Sequence, residues 1–185
     1  TASYGCGTAA LGEGIAAALL SETFHRNGIE TERVLAVIAL PNGQAINVRA
    51  GRNLIRPSHL FAPLRQNDLT RLRAAVELFC ERQIANGDWP ELPPGRARLR
   101  FMAEETARVF ARAAATFESE YVFCWLDWDG DNVLANGGII DYGSVRQFGL
   151  YHREYRFDDD DRWSTTIPEQ RAKARFVAQC FAQIR

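Results

Sequence analysis

The length and charge of the chain limit the classes of function that it can have. Its 185 residues are 46% hydrophobic, as is usual for one globular domain, and 22 Lys plus Arg against 23 Asp plus Glu leave a formal net charge of −1. No overall positive field exists to hold nucleic acid or an anionic membrane surface, so we expect neither partner.

The cysteines and the start of the chain bear on its compartment. The four cysteines lie far apart and form no CxxC pair: Cys6, Cys80, Cys124 and Cys180. This spacing is typical of reduced thiols in a cytoplasmic protein and argues against a zinc site.

The longest apolar run, residues 34–40, is too short to cross a membrane. Thr1 is not an initiator Met, and no signal peptide follows it. We therefore expect a cytoplasmic segment of a longer chain.

The first predicted element is a helix over residues 15–26. This stretch is rich in Ala and Leu, and Asn27-Gly28 supplies a stop signal. The helical spacing predicts an apolar face made of Ile15, Leu19 and Thr23, with Ala16, Leu20 and Phe24 beside them.

A β hairpin is predicted next, because β-forming residues 32–40 and 44–49 flank the turn sequence Pro41-Asn42-Gly43. Residues 53–63 contain two prolines and are expected to run as a short strand into a loop. The hairpin would therefore be followed by extended chain rather than by a helix.

Three further helices are predicted. One follows Asp68 as its N-cap and ends near residue 84, a second covers about residues 97–117, and Pro168 opens a last helix that runs to residue 185. Helices combined with separate hairpins predict an α+β fold.

Residues 131–143 carry the strongest chemical signal. Asp131-Asn132 precede a short predicted hairpin, 133–140, and Asp141-Tyr142-Gly143 follow it, with Asp141 nine residues after Asn132. The hairpin would bring Asn132 and Asp141 together, and magnesium prefers such hard oxygen ligands beside phosphates and water. Gly143 would let the chain turn away. We predict a magnesium site that serves phosphoryl or nucleotidyl transfer.

A calcium loop is an alternative interpretation of the same acidic segment. Asp127, Asp129 and Asp131 alternate as in an EF-hand. The sixth position, however, is Asn132 rather than Gly, and the twelfth is Gly138 rather than Glu. Magnesium is therefore the favoured ion.

Three segments, in order, resemble the selenoprotein O family of kinase-like proteins, which transfer AMP from ATP to protein hydroxyls. Residues 131–143 are similar to the family's TDN-to-DYG loop with the same spacing. Residues 20–33 are similar to its SEAxxxLGIPTTR segment, and Pro57-Ser58-His59 to its PSH. The resemblance spans residues 5–149.

The resemblance implies a protein-kinase-like fold, with residues 1–66 as a partial N-lobe-like region and 67–185 as a helical C-lobe-like region that contains the metal loop, 127–143. It implies Asp131 as the catalytic, base-like carboxylate and Asn132 and Asp141 as magnesium ligands. Arg56 and Gly143 are the candidate nucleotide-binding residues. The implied partners are ATP and a protein with a Ser, Thr or Tyr hydroxyl.

The phosphate-binding part of the family pattern is altered. Ala17 occupies the position of a helix glutamate that pairs with a strand lysine, and that lysine would precede Thr1. Leu54 and Phe61 occupy the positions of the two phosphate-binding arginines. The arginines near enough to substitute are Arg49, Arg52, Arg56 and Arg65, of which Arg56 is the closest candidate.

Two other hypotheses follow from these departures. One is a pseudoenzyme that binds nucleotide, or no ligand, and serves as a protein-interaction module. The other is a conventional kinase that moves the γ-phosphate, because the loop chemistry is common to both reactions.

Overall fold

A computed structural model of the chain has an α+β fold, as predicted. It describes residues 9–120, 124–125, 128, 130–143, 145–146, 154–155 and 165–184. The helices in this part are α1 (Leu11–Arg26), α2 (Ser58–Arg65), α3 (Leu69–Ala85), α4 (Arg96–Glu120) and α5 (Ile167–Ala182). The strands are β1 (Ala9–Ala10), β2 (Arg33–Ala39), β3 (Gln44–Ala50), β4 (Cys124–Trp125), β5 (Val145–Arg146), β6 (Glu154–Tyr155) and β7 (Thr165–Thr166).

The largest described sheet is antiparallel, with β3 between β1 and β2. The predicted hairpin of β2 and β3 is confirmed, and Ile38 pairs with Ile46 across it. Gly43 supplies the turn with φ +77°, a conformation that glycine adopts without steric cost. The two-stranded pairs β4–β5 and β6–β7 lie elsewhere in the chain.

Helix α1 packs its small residues toward the sheet. The predicted helix is confirmed, but the predicted apolar face is only partly right. Phe24 is buried and Leu20 packs against the core, whereas Ile15 and Leu19 are 48% and 65% exposed. The buried residues of the helix are Gly14, Ala17, Ser21 and Phe24. A Cβ atom at Gly14 would lie 2.2 Å from Asn47 Oδ1, so any larger residue there would force side chains of the sheet to move. The buried face therefore combines Phe24 with small residues where the helix lies close to the sheet.

Residues 53–63 do not form the predicted strand. Asn53 and Leu54 have φ angles of +59° and +50°, and this left-handed turn leads into α2. Pro57 stands directly before α2, where its missing N–H removes no helical hydrogen bond. The prolines that favoured extended chain therefore flank and enter a short helix.

The helical part of the fold contains most of the core. All three predicted helices are confirmed, and the Asp68 carboxylate caps α3 by accepting a hydrogen bond from Arg71 N at 3.0 Å. The Phe181 ring of α5 lies 6.0 Å from that of Phe110 in α4 and 5.0 Å from that of Phe61 in α2, measured between centroids. No helix in the described ranges is long and apolar enough to span a membrane.

Candidate metal and nucleotide site

The predicted hairpin within residues 130–143 is present. Val133 pairs with Ile139 in antiparallel fashion, and Leu134 N donates to Gly138 O at 2.7 Å. Gly137 makes the turn with φ +85°. Asn132 directly precedes one paired residue and Asp141 follows the other by two positions, so both lie at the open end of the hairpin. The hairpin that was expected to bring Asn132 and Asp141 to one end is therefore present.

The segment before β2 hydrogen-bonds to this hairpin through its backbone. Ile139 N donates to Glu30 O at 3.0 Å, and Glu32 N donates to Ile139 O at 3.2 Å. Thr31 and Ile139 thereby form a parallel bridge. The first segment of the family resemblance is thus in direct contact with the strand that leads to Asp141.

The start of α2 contacts the other side of the same loop. Ser58 N donates to Gly130 O at 2.9 Å, and Ala135 N donates to Ile55 O at 2.8 Å. A Cβ atom at Gly130 would lie 3.1 Å from Ser58 N, so the two backbones approach closely. All three segments that carry the resemblance therefore meet at one hairpin.

Tyr142 connects this loop to α1. Its hydroxyl lies 2.6 Å from Thr31 Oγ1, and its ring centroid lies 6.0 Å from that of Phe24. Burial raises the pKa of Tyr142 to about 12, although hydrogen bonds with Thr31 and Ser21 lower it. The hydroxyl is therefore protonated at neutral pH, and Tyr142 fixes the backbone between Asp141 and Gly143.

The predicted site residues lie at the surface end of this scaffold. Asp131 and Gly143 are exposed, whereas Asn132 and Asp141 are half-buried. Asp141 Oδ1 accepts a hydrogen bond from Gly143 N at 3.0 Å, which orients the carboxylate. Asp127 and Asp129, which the calcium interpretation needs, lie outside the described residues.

The donor chemistry of these residues fits magnesium bound together with a nucleotide. Across the described ranges, no group of three or more His, Cys, Asp or Glu side chains forms a metal cage. Asn132 and Asp141 offer two hard oxygen donors, and magnesium commonly takes one or two protein ligands and completes its shell with phosphates and water. These two residues alone would leave most of the shell of a magnesium ion to be filled by phosphates and water.

Glu32 is a candidate functional residue that the sequence patterns did not single out. Its side chain is only 4% exposed, and its Oε1 accepts a hydrogen bond from Arg49 Nη1 at 2.8 Å. The same nitrogen donates to Ile140 O at 3.2 Å. Burial raises the pKa of Glu32, Arg49 and Arg56 oppose this rise, and the Asp141 charge adds to it. The sequence could have indicated this residue, because Glu32 stands where the SEAxxxLGIPTTR segment has its second threonine.

The other candidate arginines differ in position. Arg52 forms an ion pair with Asp88, away from the hairpin end that carries Asp141. Arg65 is exposed in the last turn of α2. Arg56 is exposed, its backbone N donates to His59 Nδ1 at 3.2 Å, and its charge acts on Glu32. Only Arg49 and Arg56, of the four arginines, show an electrostatic interaction with the Glu32 carboxylate.

The three positions that depart from the family pattern have roles in packing or backbone geometry. Ala17 is buried in the core. Phe61 packs its ring against Phe181. Leu54 is 53% exposed and has a φ of +50°, which is unusual for a residue other than glycine. A charged residue in place of Ala17 or Phe61 would therefore disturb the core, whereas one in place of Leu54 would not.

Comparison with protein-family models and with curated proteins gave no match for this chain. The assignment of a function therefore depends on the residues and on their geometry.

Proposed function

We propose that this chain is the nucleotide-binding part of a kinase-like transferase related to selenoprotein O, which uses Mg·ATP and transfers AMP to a protein hydroxyl. The observation that supports the proposal is the meeting of residues 28–33, 57–59 and 131–143 around one hairpin. Segments that resemble one family in sequence order would not be expected to become neighbours if each resemblance were accidental.

The arrangement of β1, α1 and the sheet also supports a kinase-like fold. In protein kinases a strand that carries a lysine precedes the helix that carries its glutamate partner. Here β1 runs directly into α1 and pairs with β3, while α1 packs on the sheet. Residues 1–66 are the proposed partial N-lobe-like region, and residues 67–185 the proposed C-lobe-like region.

Each predicted residue has a role in the proposed reaction. Asp131 would accept the proton of the attacking Ser, Thr or Tyr hydroxyl, whose oxygen bonds to the α-phosphorus as pyrophosphate leaves. Asn132 and Asp141 would hold magnesium, which neutralises phosphate charge when it is bound. Gly143 and Arg56 would lie beside the nucleotide.

A nucleotide-binding pseudoenzyme is the second candidate, favoured by one specific observation. Ala17 and Phe61, which replace charged residues of the family pattern, are packed into hydrophobic surroundings. Loss of charged groups aimed at the transition state costs on the order of 100-fold or more in rate. Binding without turnover is the outcome that this candidate predicts.

Labelled ATP tests the proposed reaction. The chain is incubated with magnesium, a protein extract, and ATP labelled on either the α- or the γ-phosphate. Protein-bound α label supports AMP transfer, whereas γ label supports the kinase alternative. Nucleotide binding with neither label favours the pseudoenzyme. If neither label transfers and ATP leaves the melting temperature unchanged, both the transferase and the nucleotide-binding candidate are wrong.

The variant Asp141→Ala tests the metal assignment. Removing one of two protein ligands is expected to weaken Mg·ATP binding by roughly 100-fold, as measured by titration calorimetry with and without EDTA. Asp88→Ala is the matched control, because it also removes a carboxylate but lies in the ion pair with Arg52. Unchanged magnesium-dependent affinity in Asp141→Ala would contradict the site.

A further inference from the structure

The Arg49–Glu32 pair is an ion pair in which only one partner is buried. Glu32 is 4% exposed, whereas the Arg49 side chain is 43% exposed. A buried carboxylate is costly unless a cation and hydrogen bonds compensate it. Since β2 and β3 are neighbouring strands, the pair fixes the Arg49 guanidinium near the start of β2.

Arg49 retains hydrogen-bonding capacity beside the metal loop. Arginine has five N–H donors in a rigid fork that suits phosphate. Nη1 makes both contacts, to Glu32 Oε1 and to Ile140 O, and Ile140 directly precedes Asp141. Nε and Nη2 make no hydrogen bond to residues that the structure describes. Donors remain for a ligand next to the proposed magnesium ligand.

Protein kinases also hold a phosphate-binding cation with a carboxylate, but they use a different pair of residues. Their strand lysine contacts the ATP phosphates and is held by a glutamate of the following helix. This chain has Ala17 at the helix position, and its only lysine is Lys173, in α5. A cation held by a buried carboxylate is nonetheless present, because Arg49 of β3 pairs with Glu32, the residue before β2.

We propose that the Arg49–Glu32 pair replaces that lysine–glutamate pair: Arg49 binds the phosphates of Mg·ATP, and Glu32 is the positioning residue that orients the guanidinium. The inference rests on the proposed function, because it needs Mg·ATP at Asp141. Arg56, which also acts on the Glu32 charge, would add positive potential to the same place.

The test compares Arg49→Gln with Arg33→Gln. Both arginines have side chains that are 43% exposed and form an ion pair, but Arg33 pairs with Glu22 of α1. Dissociation constants for Mg·ATP and for adenosine are measured by titration calorimetry. Arg49→Gln should weaken Mg·ATP binding about tenfold or more and leave adenosine binding within about twofold. Arg33→Gln should change neither constant.

A second variant separates binding from folding. Arg49→Gln leaves Glu32 buried without its cation, so Arg49→Gln combined with Glu32→Gln provides a neutral pair that should fold and still lose phosphate affinity. Glu32→Gln alone should lower the preference for Mg·ATP over adenosine by a few fold. If Glu32 had only a structural role, the ratio of the two dissociation constants would stay unchanged.

The outcomes distinguish this inference from the proposed function. If Asp141→Ala abolishes Mg·ATP binding while the Arg49 variants stay within twofold of wild type, the Arg49 assignment alone is wrong. If wild-type protein binds no Mg·ATP, both proposals are wrong.

Discussion

The hairpin junction, residues 130–143, and the neighbouring segment, residues 49–61, lie against each other, but they match the selenoprotein O sequence pattern to different degrees. The junction is held mainly by backbone hydrogen bonds, such as those from Ser58 N to Gly130 O and from Ile139 N to Glu30 O. Every residue other than proline carries the same backbone donor and acceptor, so such contacts tolerate changes of side chain. A phosphate clamp depends on particular side chains, and Leu54 and Phe61 stand where the selenoprotein O pattern has arginines. Backbone contacts therefore constrain the side chains of a segment less than a charged binding site does.

Ala17→Glu should have the largest effect on stability. It restores the family's helix glutamate, but Ala17 is in the hydrophobic core, and an unpaired buried carboxylate costs about 3–5 kcal/mol. Chemical denaturation measures the loss of unfolding free energy. Ala16→Glu, on the exposed face of the same helix, should change it by less than about 0.5 kcal/mol. Equal stability of the two variants would contradict the packing of α1 described above.

Phe61→Arg and Leu54→Arg restore the family's arginines in two different environments. Phe61 packs on Phe181 and is half-buried, so Phe61→Arg should cost about 2–4 kcal/mol of unfolding free energy. Leu54 is exposed, so Leu54→Arg should cost less than about 0.5 kcal/mol. Thermal unfolding of both variants checks the contrast. An unchanged unfolding free energy in Phe61→Arg would contradict the packing of Phe61 on Phe181.

Gly130→Ala tests the backbone contact between the two regions. The added Cβ would lie 3.1 Å from Ser58 N, so α2 must shift, at a cost of about 1–2 kcal/mol. Gly12→Ala in α1 is the control, because nothing lies within 4 Å of its Cβ. Alanine in a helix should stabilise the protein there by about 0.5–1 kcal/mol. The two substitutions should therefore shift the melting temperature in opposite directions, and shifts of the same sign would argue against the close contact.

Leu54→Gly should have the smallest effect. Leu54 has φ +50°, a strained conformation for leucine, and its exposed side chain contributes little burial. Glycine should relieve that strain and stabilise the protein by roughly 0.5 kcal/mol. Denaturant titration against Leu40→Gly, at another exposed leucine, provides the comparison. A destabilised Leu54→Gly protein would show that the side chain has a packing role.

Features that depend on neighbouring residues followed from the sequence alone. Asp68 as an N-cap, the turn at Gly43 and the hairpin between Asn132 and Asp141 were all predicted, because caps and turns are set by contacts a few residues apart. The α+β class followed from the same local patterns. The chemical roles of Asp131, Asn132 and Asp141 remain predictions for the experiments above.

Features that depend on distant contacts required the tertiary structure. The close contact of Gly14 with Asn47 was not visible in the spacing of α1, and the prolines of residues 53–63 gave no indication of α2. Likewise, Arg49 and Glu32 are 17 residues apart, and only the pairing of β2 with β3 brings them together at Ile140. The sequence by itself therefore determined the local elements other than α2, and it indicated the metal-ligand candidates. Only the tertiary structure decided which faces are buried and which charges meet, because those depend on the packing of segments far apart in the chain.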